Sequence, residues 1–271
     1  MMSKHYEQKL DGELIIQRLQ EAYPEGPSHF QIAPIDQLHI GGIKASEKLI
    51  ARIVQSGAQR VLDVGSGLGG LMRLLESRRN LSVIGLDITH DLNRINQQLS
   101  ALTPDKSKPE IVTADAHHLP FAGNQFDLII FQHSLLNMPD DNQVLSECAR
   151  VLKPQGKLLL HEVVQGANYS AMQYPVPWAR SMEDSHLRDT QTICSLLEHK
   201  GFTITELSDW SEDALNWRKR QSEKERGQKP QAAPVSPRMV LGPEFQNMGS
   251  NVMTNLANNA ACVIELVAEK Q

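Results

Sequence analysis

The sequence is poor in cysteine and lacks long apolar runs, and both features narrow the class of protein. Its three cysteines, Cys148, Cys194 and Cys262, are odd in number and far apart, so they predict neither a disulfide framework nor a metal site. We therefore expect reduced thiols in a cytoplasmic protein. No stretch approaches the roughly 18 apolar residues of a membrane span, and no charged-then-apolar leader is visible, so we expect neither.

An excess of positive charge is also absent. The chain has 27 basic and 32 acidic side chains, which gives a formal net charge of −5 at pH 7. Because binding to a phosphate backbone requires a basic surface, this balance argues against nucleic acid as a partner. A length of 271 residues with 40% hydrophobic content suits one large domain with a substantial core. Both a monomer and a homodimer stay open.

Glycine is concentrated in one segment, which runs from Arg60 to Gly70 and reads RVLDVGSGLGG. A short apolar strand there leads into Asp63 and then into a loop that contains Gly65, Ser66, Gly67, Gly69 and Gly70. Glycines let a backbone turn sharply and approach a ligand closely. The apolar residues that follow predict a helix whose N-terminus faces that ligand. The segment therefore predicts a site for a nucleotide-like cofactor.

The glycine spacing alone admits two cofactors. Gly65, Gly67 and Gly70 fit the dinucleotide pattern G-x-G-x-x-G, and Asp87 lies where a ribose-binding acid would follow. Asp63 discriminates, because a carboxylate beside the turn would repel a pyrophosphate. S-adenosyl-L-methionine (SAM) has no phosphate but carries a sulfonium and an α-ammonium. We therefore predict SAM and keep a nicotinamide-dependent oxidoreductase as the alternative.

Strand and helix patterns alternate along the chain. Strands that are apolar on both faces, such as 128–131 and 158–160, fit a parallel sheet covered by helices on each side. The predicted strands are 61–64, 82–86, 110–113, 126–132, 157–164, 202–209 and 261–267. The predicted helices are 71–78, 91–101, 142–152, 185–200, 211–226 and 252–259, with a Pro-rich loop at 227–242. The fold class predicted is α/β, Rossmann-like and doubly wound.

The change of pattern after residue 164 suggests how the chain is divided. We predict an N-terminal helical cap at 1–46, a SAM-binding core at 47–210, an insertion or lid at 211–259, and the final strand of the core sheet at 260–271. The insertion is singled out because a charged helix and a Pro-rich loop before the last strand are not needed to build the sheet.

The Asp-x-Gly-x-Gly-x-Gly pattern from Asp63 to Gly69 resembles the first motif of class I SAM-dependent methyltransferases, and the resemblance extends over residues 35–270. GLDIT at 85–89 is similar to the second motif, which implies that Asp87 accepts hydrogen bonds from the ribose hydroxyls, with Ile88 beside it. ADA at 114–116 implies that Asp115 and Ala116 contact adenine. The turn RVLKPQGK at 150–157 also resembles the family, with Gln155 in place of a glycine. The family implies a seven-stranded, mostly parallel sheet with an antiparallel last strand.

Three further segments, LHIGG at 38–42, QHSLLNM at 132–138 and YPVPWA at 174–179, resemble a bacterial small-molecule branch of that family. This branch is similar to sarcosine/dimethylglycine N-methyltransferases and quinone-ring methyltransferases. The resemblance implies in-line methyl transfer from SAM to an amine, hydroxyl or ring carbon of a small-molecule acceptor, leaving S-adenosyl-L-homocysteine. It also implies that His39, Gly41 and Gln132 contact the cofactor.

His133 is the candidate catalytic residue, since imidazole titrates near neutral pH and can act as a general base. It could equally bind the methionine end of SAM or the acceptor. The other candidate acceptor-binding residues are Asn137, Tyr174, Trp178 and Arg180. An aromatic ring could face a cation, and Arg180 could clamp an acceptor carboxylate in a bidentate way. A non-catalytic SAM-binding module would share the cofactor residues and stays open as a second alternative.

Overall fold

The computed structural model describes residues 10–76, 81–105, 108–227 and 233–271. Three helices come first: α1 (Gly12–Ala22), α2 (His29–Asp36) and α3 (Gly42–Gln55). The carboxylate of Asp11 caps α1 by accepting a hydrogen bond from the backbone N–H of Leu14 at 3.0 Å. Helix α3 runs across residue 46, where the predicted cap ends. The division into units therefore stays a prediction.

Strands and helices then alternate, as the apolar periodicity predicts. The strands are β1 (Arg60–Val64), β2 (Ser82–Asp87), β3 (Glu110–Thr113), β4 (Phe126–Gln132), β5 (Leu152–Gln165), β6 (Phe202–Asp209) and β7 (Ala261–Lys270). The helices that follow the first three are α4 (Gly70–Glu76), α5 (His90–Leu102), α6 (Asp141–Val151), α7 (Thr190–His199), α8 (Ser211–Gly227), α9 (Arg238–Leu241) and α10 (Phe245–Ala257).

The seven strands form one sheet in the order β3-β2-β1-β4-β5-β7-β6. Neighbouring strands from β3 to β5 pair in parallel, whereas β7 is antiparallel to both β5 and β6. The predicted mostly parallel sheet with an antiparallel last strand is confirmed. The strand order reverses between β1 and β4, and ligands of such sheets bind beyond the carboxyl ends of the strands at that point.

Strand β4 shows why the central strands are apolar throughout. Leu128 and Ile130 pack on one face of the sheet with Leu49 and Ile53 of α3. Ile129 and Phe131 pack on the other face with residues of α6 and α7, among them Val144, Leu145 and Ile193. Because side chains alternate along a strand, helices on both faces require apolar residues at every position.

Three elements begin five residues or more away from the predicted start. Helix α7 begins at Thr190, not at 185, because Asp189 caps it by accepting from the Thr192 N–H at 2.8 Å. The residues before it instead run beside β5, where Gln165 donates to the carbonyls of Leu187 and Arg188. Strand β5 begins at 152 instead of 157, and α10 begins at 245 instead of 252. Residues 77 and 78 of the predicted helix 71–78 lie outside the described residues.

The segment 227–242 is predicted as a Pro-rich loop. Its residues 228–232 lie outside the described residues, and the rest contains the short helix α9. Pro237 precedes α9 with φ −53°, a value already suited to the first turn of a helix. No helix in the described part of the chain is long and apolar enough to cross a bilayer.

Candidate functional site

A cleft opens where the strand order reverses, at the carboxyl ends of β1 and β4. Its empty space is about 900 Å³, counting the open mouth. One wall is the glycine loop between β1 and α4. The others are the end of α2 with the residues after it, the segment after β4, the Pro177-Trp178 pair, and Val240 and Leu241 of α9.

The glycine loop owes its shape to two glycines in particular. Gly65 has φ +76°, and a Cβ on it would lie 2.4 Å from the Cβ of Ser134. Gly67 has φ +52° with open space in front of it, and its N–H donates to Oδ2 of Asp87 at 3.0 Å. Both backbone conformations are ones that L side chains rarely adopt. The loop therefore lies against the end of β2 with its backbone open to the cleft.

Asp63 is the penultimate residue of β1 and lines the cleft. It is 4% exposed, and none of the described residues forms a hydrogen bond or an ion pair with its carboxylate. Burial, with the nearby charge of Asp87, raises the pKa of Asp63 to about 7. The hydroxyl Oγ of Ser66 beside it is buried and also unpartnered among the described residues. A buried carboxylate without a cationic partner complements a positively charged ligand, such as the sulfonium or ammonium of SAM.

The residues predicted to contact ribose and adenine lie behind the loop. Asp87 is buried, accepts from the N–H groups of Gly67 and Thr89, and has a pKa raised by burial. Ile88 is exposed and Ala116 is buried. Asp115 accepts from the backbone N–H and from Nδ1 of His117, at 2.9 and 2.5 Å. None of the four lines the cleft, so their cofactor contacts stay predictions.

His39 and Gln132 join the N-terminal region to the end of β4. Nε2 of His39 lies 2.9 Å from Nε2 of Gln132 and 3.0 Å from the carbonyl oxygen of Gly42. Burial, helped by the charge of His161, lowers the pKa of His39 to about 3. Both side chains line the cleft. Gly41 does not line it: this residue is the N-cap before α3, with φ +96°, and a Cβ on it would lie 2.5 Å from the Trp210 ring.

His133 lines the cleft with a left-handed backbone, φ +54°. Its ring stacks on His161 at 5.1 Å and lies 6.0 Å from His39, both measured between ring centroids. Its Nε2 is buried with no hydrogen-bond partner among the described residues. Burial, then the charges of His161 and His39, hold the pKa of His133 well below its ordinary value. The imidazole is therefore neutral near pH 7 and is a weak base.

The four predicted acceptor-binding residues are not brought together equally. Trp178 is buried and lines the cleft, and its indole N–H has no partner among the described residues. Tyr174 packs beside it in an apolar cluster, and Asn137 donates to the carbonyl of His133 at 3.4 Å. Arg180 is exposed and does not line the cleft. The structure thus places three of them in or beside the cleft and Arg180 outside it.

The sequence interpretation missed a buried ion pair beside the glycine loop. Arg73 of α4 is 1% exposed and donates through Nη2 to Oδ2 of Asp36 at 2.6 Å. It also donates to the carbonyl of Leu68 and to Oδ1 of Asn96. Burial raises the pKa of Asp36 against the opposing charge of Arg73. A lone arginine in the apolar run LMRLL was the signal that could have revealed this pair.

Comparison with known proteins identifies the family. Residues 62–160 match a family model described as a methyltransferase domain. A methyltransferase from Streptomyces halstedii is 31% identical over 185 residues, which cover 66% of this chain and 65% of that protein. A demethylmenaquinone methyltransferase from Thermotoga maritima is 31% identical over 122 residues, covering 45% and 51%. Residues 62–160 are therefore a methyltransferase domain, and these matches bear out the resemblance to SAM-dependent methyltransferases that the motifs predict.

The fold agrees with solved members of that class. The structure of a Haemonchus contortus phosphoethanolamine N-methyltransferase in complex with SAM matches with a TM-score of 0.73 at 18% identity. The match covers 99% of this chain and 59% of that one. This chain spans less than two thirds of the length of either curated relative. The class of acceptor is therefore inferred below from the residues that line the cleft.

Proposed function

We propose that the protein transfers a methyl group from SAM to a small-molecule acceptor by in-line displacement, leaving S-adenosyl-L-homocysteine. Asp63 carries this proposal. A buried carboxylate with no cationic partner among the described residues, beside an open glycine loop, complements a cationic cofactor and opposes a pyrophosphate. The methyltransferases among its relatives support the same reaction.

The cofactor would be held from both sides of the glycine loop. Asp63 and Ser66 would face its methionine end together with His39 and Gln132, all of which line the cleft. Asp87 keeps free lone pairs for the ribose hydroxyls after accepting its two backbone N–H bonds. Asp115 and Ala116 would lie at the adenine. Bound SAM supplies an electrophilic methyl group on a sulfonium.

The remaining task of the protein is to position the acceptor and exclude water. In-line displacement requires the attacking atom to lie roughly 3 Å from the methyl carbon. Val240 and Leu241 of the predicted insertion line the cleft with apolar side chains, which supports a lid role for the insertion. Neutral His133 would accept a hydrogen bond from the nucleophilic group and so orient its lone pair. As the new bond to carbon forms, the bond from that carbon to sulfur would break with its electron pair left on S-adenosyl-L-homocysteine, and the proton of the acceptor would pass through Nε2 of His133 to water.

Calorimetric titration with SAM and with NADH tests the cofactor. We expect SAM to bind and NADH to bind far more weakly, because the buried carboxylate of Asp63 adjoins the loop and would repel a pyrophosphate. Tighter binding of NADH would contradict the proposal. Transfer of a radiolabelled methyl group to a panel of phenols, amines and quinols tests the reaction. SAM binding without any transfer would instead favour a non-catalytic SAM-binding module.

A further inference from the structure

The cleft carries an unusual balance of charge. Among its described lining residues the acids are Asp36 and Asp63, and no lysine or arginine lines it. Oδ1 of Asp36 is buried without a hydrogen-bond partner, although Oδ2 is paired with Arg73. His39 and His133 contribute no charge, since burial keeps both imidazoles neutral.

Three arginines that do not line the cleft form ion pairs with other residues. Arg73 is buried behind the loop and is engaged by Asp36, Asn96 and the Leu68 carbonyl. Arg188 pairs with Asp141 at 2.9 Å, and Arg218 pairs with Glu225 at 2.6 Å. None of these three lines the cleft, and neither does exposed Arg180. An anion in the cleft would therefore meet no counter-ion from the described residues.

Apolar side chains form much of the cleft wall away from the glycine loop, beside the polar Asp36, His39, Gln132 and His133. Six of the apolar ones are Leu38, Leu136, Pro177, Trp178, Val240 and Leu241. These residues come from four separate segments, so the apolar character is a property of the assembled cavity. An ionised group transferred from water to such a surface loses its hydration, and the indole N–H of Trp178 is the one hydrogen-bond donor that these six side chains offer in return. The carboxylate of Asp63, which no basic side chain among the described residues offsets, adds repulsion.

We infer that the acceptor is an apolar molecule that carries no carboxylate, phosphate or sulfate, and that presents a single polar nucleophile to the His133–Gln132 end of the cleft. This inference rests on the proposed methyl transfer and narrows its substrate class. It separates this chain from the solved relative whose name specifies phosphoethanolamine, a phosphate-bearing acceptor. It also excludes an acceptor carboxylate, which the sequence analysis expected Arg180 to bind.

A matched pair of probes tests the charge preference. 2-Naphthol and 6-hydroxy-2-naphthoate share a ring system and a hydroxyl nucleophile, and differ by one carboxylate. Their dissociation constants are measured calorimetrically on the protein saturated with S-adenosyl-L-homocysteine. We expect 2-naphthol to bind at least about tenfold more tightly, because the carboxylate must be desolvated without a partner. Equal or tighter binding of the naphthoate would overturn the inference, as would failure of 2-naphthol to bind.

A charge-introducing variant tests the cause. Val240→Arg places a guanidinium on α9 at the cleft wall, and Val240→Met is a control of similar length without charge. We expect Val240→Arg to shift the ratio of the two dissociation constants at least about tenfold toward the naphthoate, and Val240→Met to leave the ratio unchanged. An unchanged ratio in Val240→Arg that still binds S-adenosyl-L-homocysteine would overturn the inference. If the unmodified protein did not bind S-adenosyl-L-homocysteine, the proposed function itself would be refuted.

Discussion

The substitution Asp63→Asn removes a buried charge while keeping the size of the side chain. The pKa of Asp63 is about 7 in the folded protein, against an ordinary value of 3.8. An acid whose pKa is raised by folding holds its proton more tightly in the native state. Its ionisation therefore favours unfolding as the pH rises above 3.8, and this penalty levels off above about pH 7.

The magnitude follows from about 1.4 kcal/mol for each pKa unit. Wild-type protein would carry a penalty of about 2 kcal/mol near pH 5.5 and about 4 kcal/mol near pH 8.5. We expect Asp63→Asn to raise the free energy of unfolding of the cofactor-free protein by up to these amounts. The same variant should lose SAM binding, since the carboxylate that we propose to face the cofactor is gone.

Urea unfolding at the two pH values measures the effect. Asp127→Asn is the matched control: burial acts on Asp127 as well, but hydrogen bonds from Lys153 and from the N–H groups of Arg60 and Gln59 outweigh it and lower its pKa. That variant should be less stable than wild type, the opposite sign. A gain for Asp63→Asn that is equal at both pH values, or a loss of stability, would refute the reasoning.

Four further outcomes are expected. Asp87→Ala should abolish the stabilisation by SAM, about 2.7 kcal/mol at a hundredfold excess over the dissociation constant; a full thermal shift in this variant would reject the ribose assignment. Arg73→Met should lower the unfolding free energy by about 3–5 kcal/mol in urea, because it leaves Asp36 buried and unpaired, and an unchanged midpoint would show that the pair is dispensable. Gln155→Gly should raise the free energy of unfolding by up to about 1 kcal/mol and with it the melting temperature, since Gln155 has φ +62°; a lower melting temperature would contradict this. Arg180→Lys should leave the Michaelis constant for the acceptor unchanged, and a raised constant would restore the proposed clamp.

The sheet was predictable because its strands carry their own signal. Strands such as 126–132 are apolar on both faces, which only a doubly covered sheet requires. Helix starts were less predictable: the 185–189 segment has helical periodicity, yet Asp189 caps the helix and Gln165 holds the preceding backbone. A local pattern does not contain the β5 partner that decides between the two.

The part of the cleft formed by the glycine loop was predictable because its residues are close together in sequence. Asp63, Gly65, Ser66 and Gly67 are consecutive enough to form a motif, and all four line the cleft. Asp36 and Val240 also line it, but they come from segments far apart in sequence, and no spacing rule joins them. The acceptor walls are therefore visible only once the chain is folded.

The separate origins of the cleft walls have an evolutionary consequence. The glycine loop is anchored to the central parallel strands, whereas Val240 and Leu241 lie in a segment that enters the sheet only afterwards, through β7. Drift in that segment can change which molecule fits without disturbing the strands that shape the loop. Under the role that we propose for α9, substitutions at Val240 and Leu241 would change the acceptor while the glycine loop is inherited unchanged.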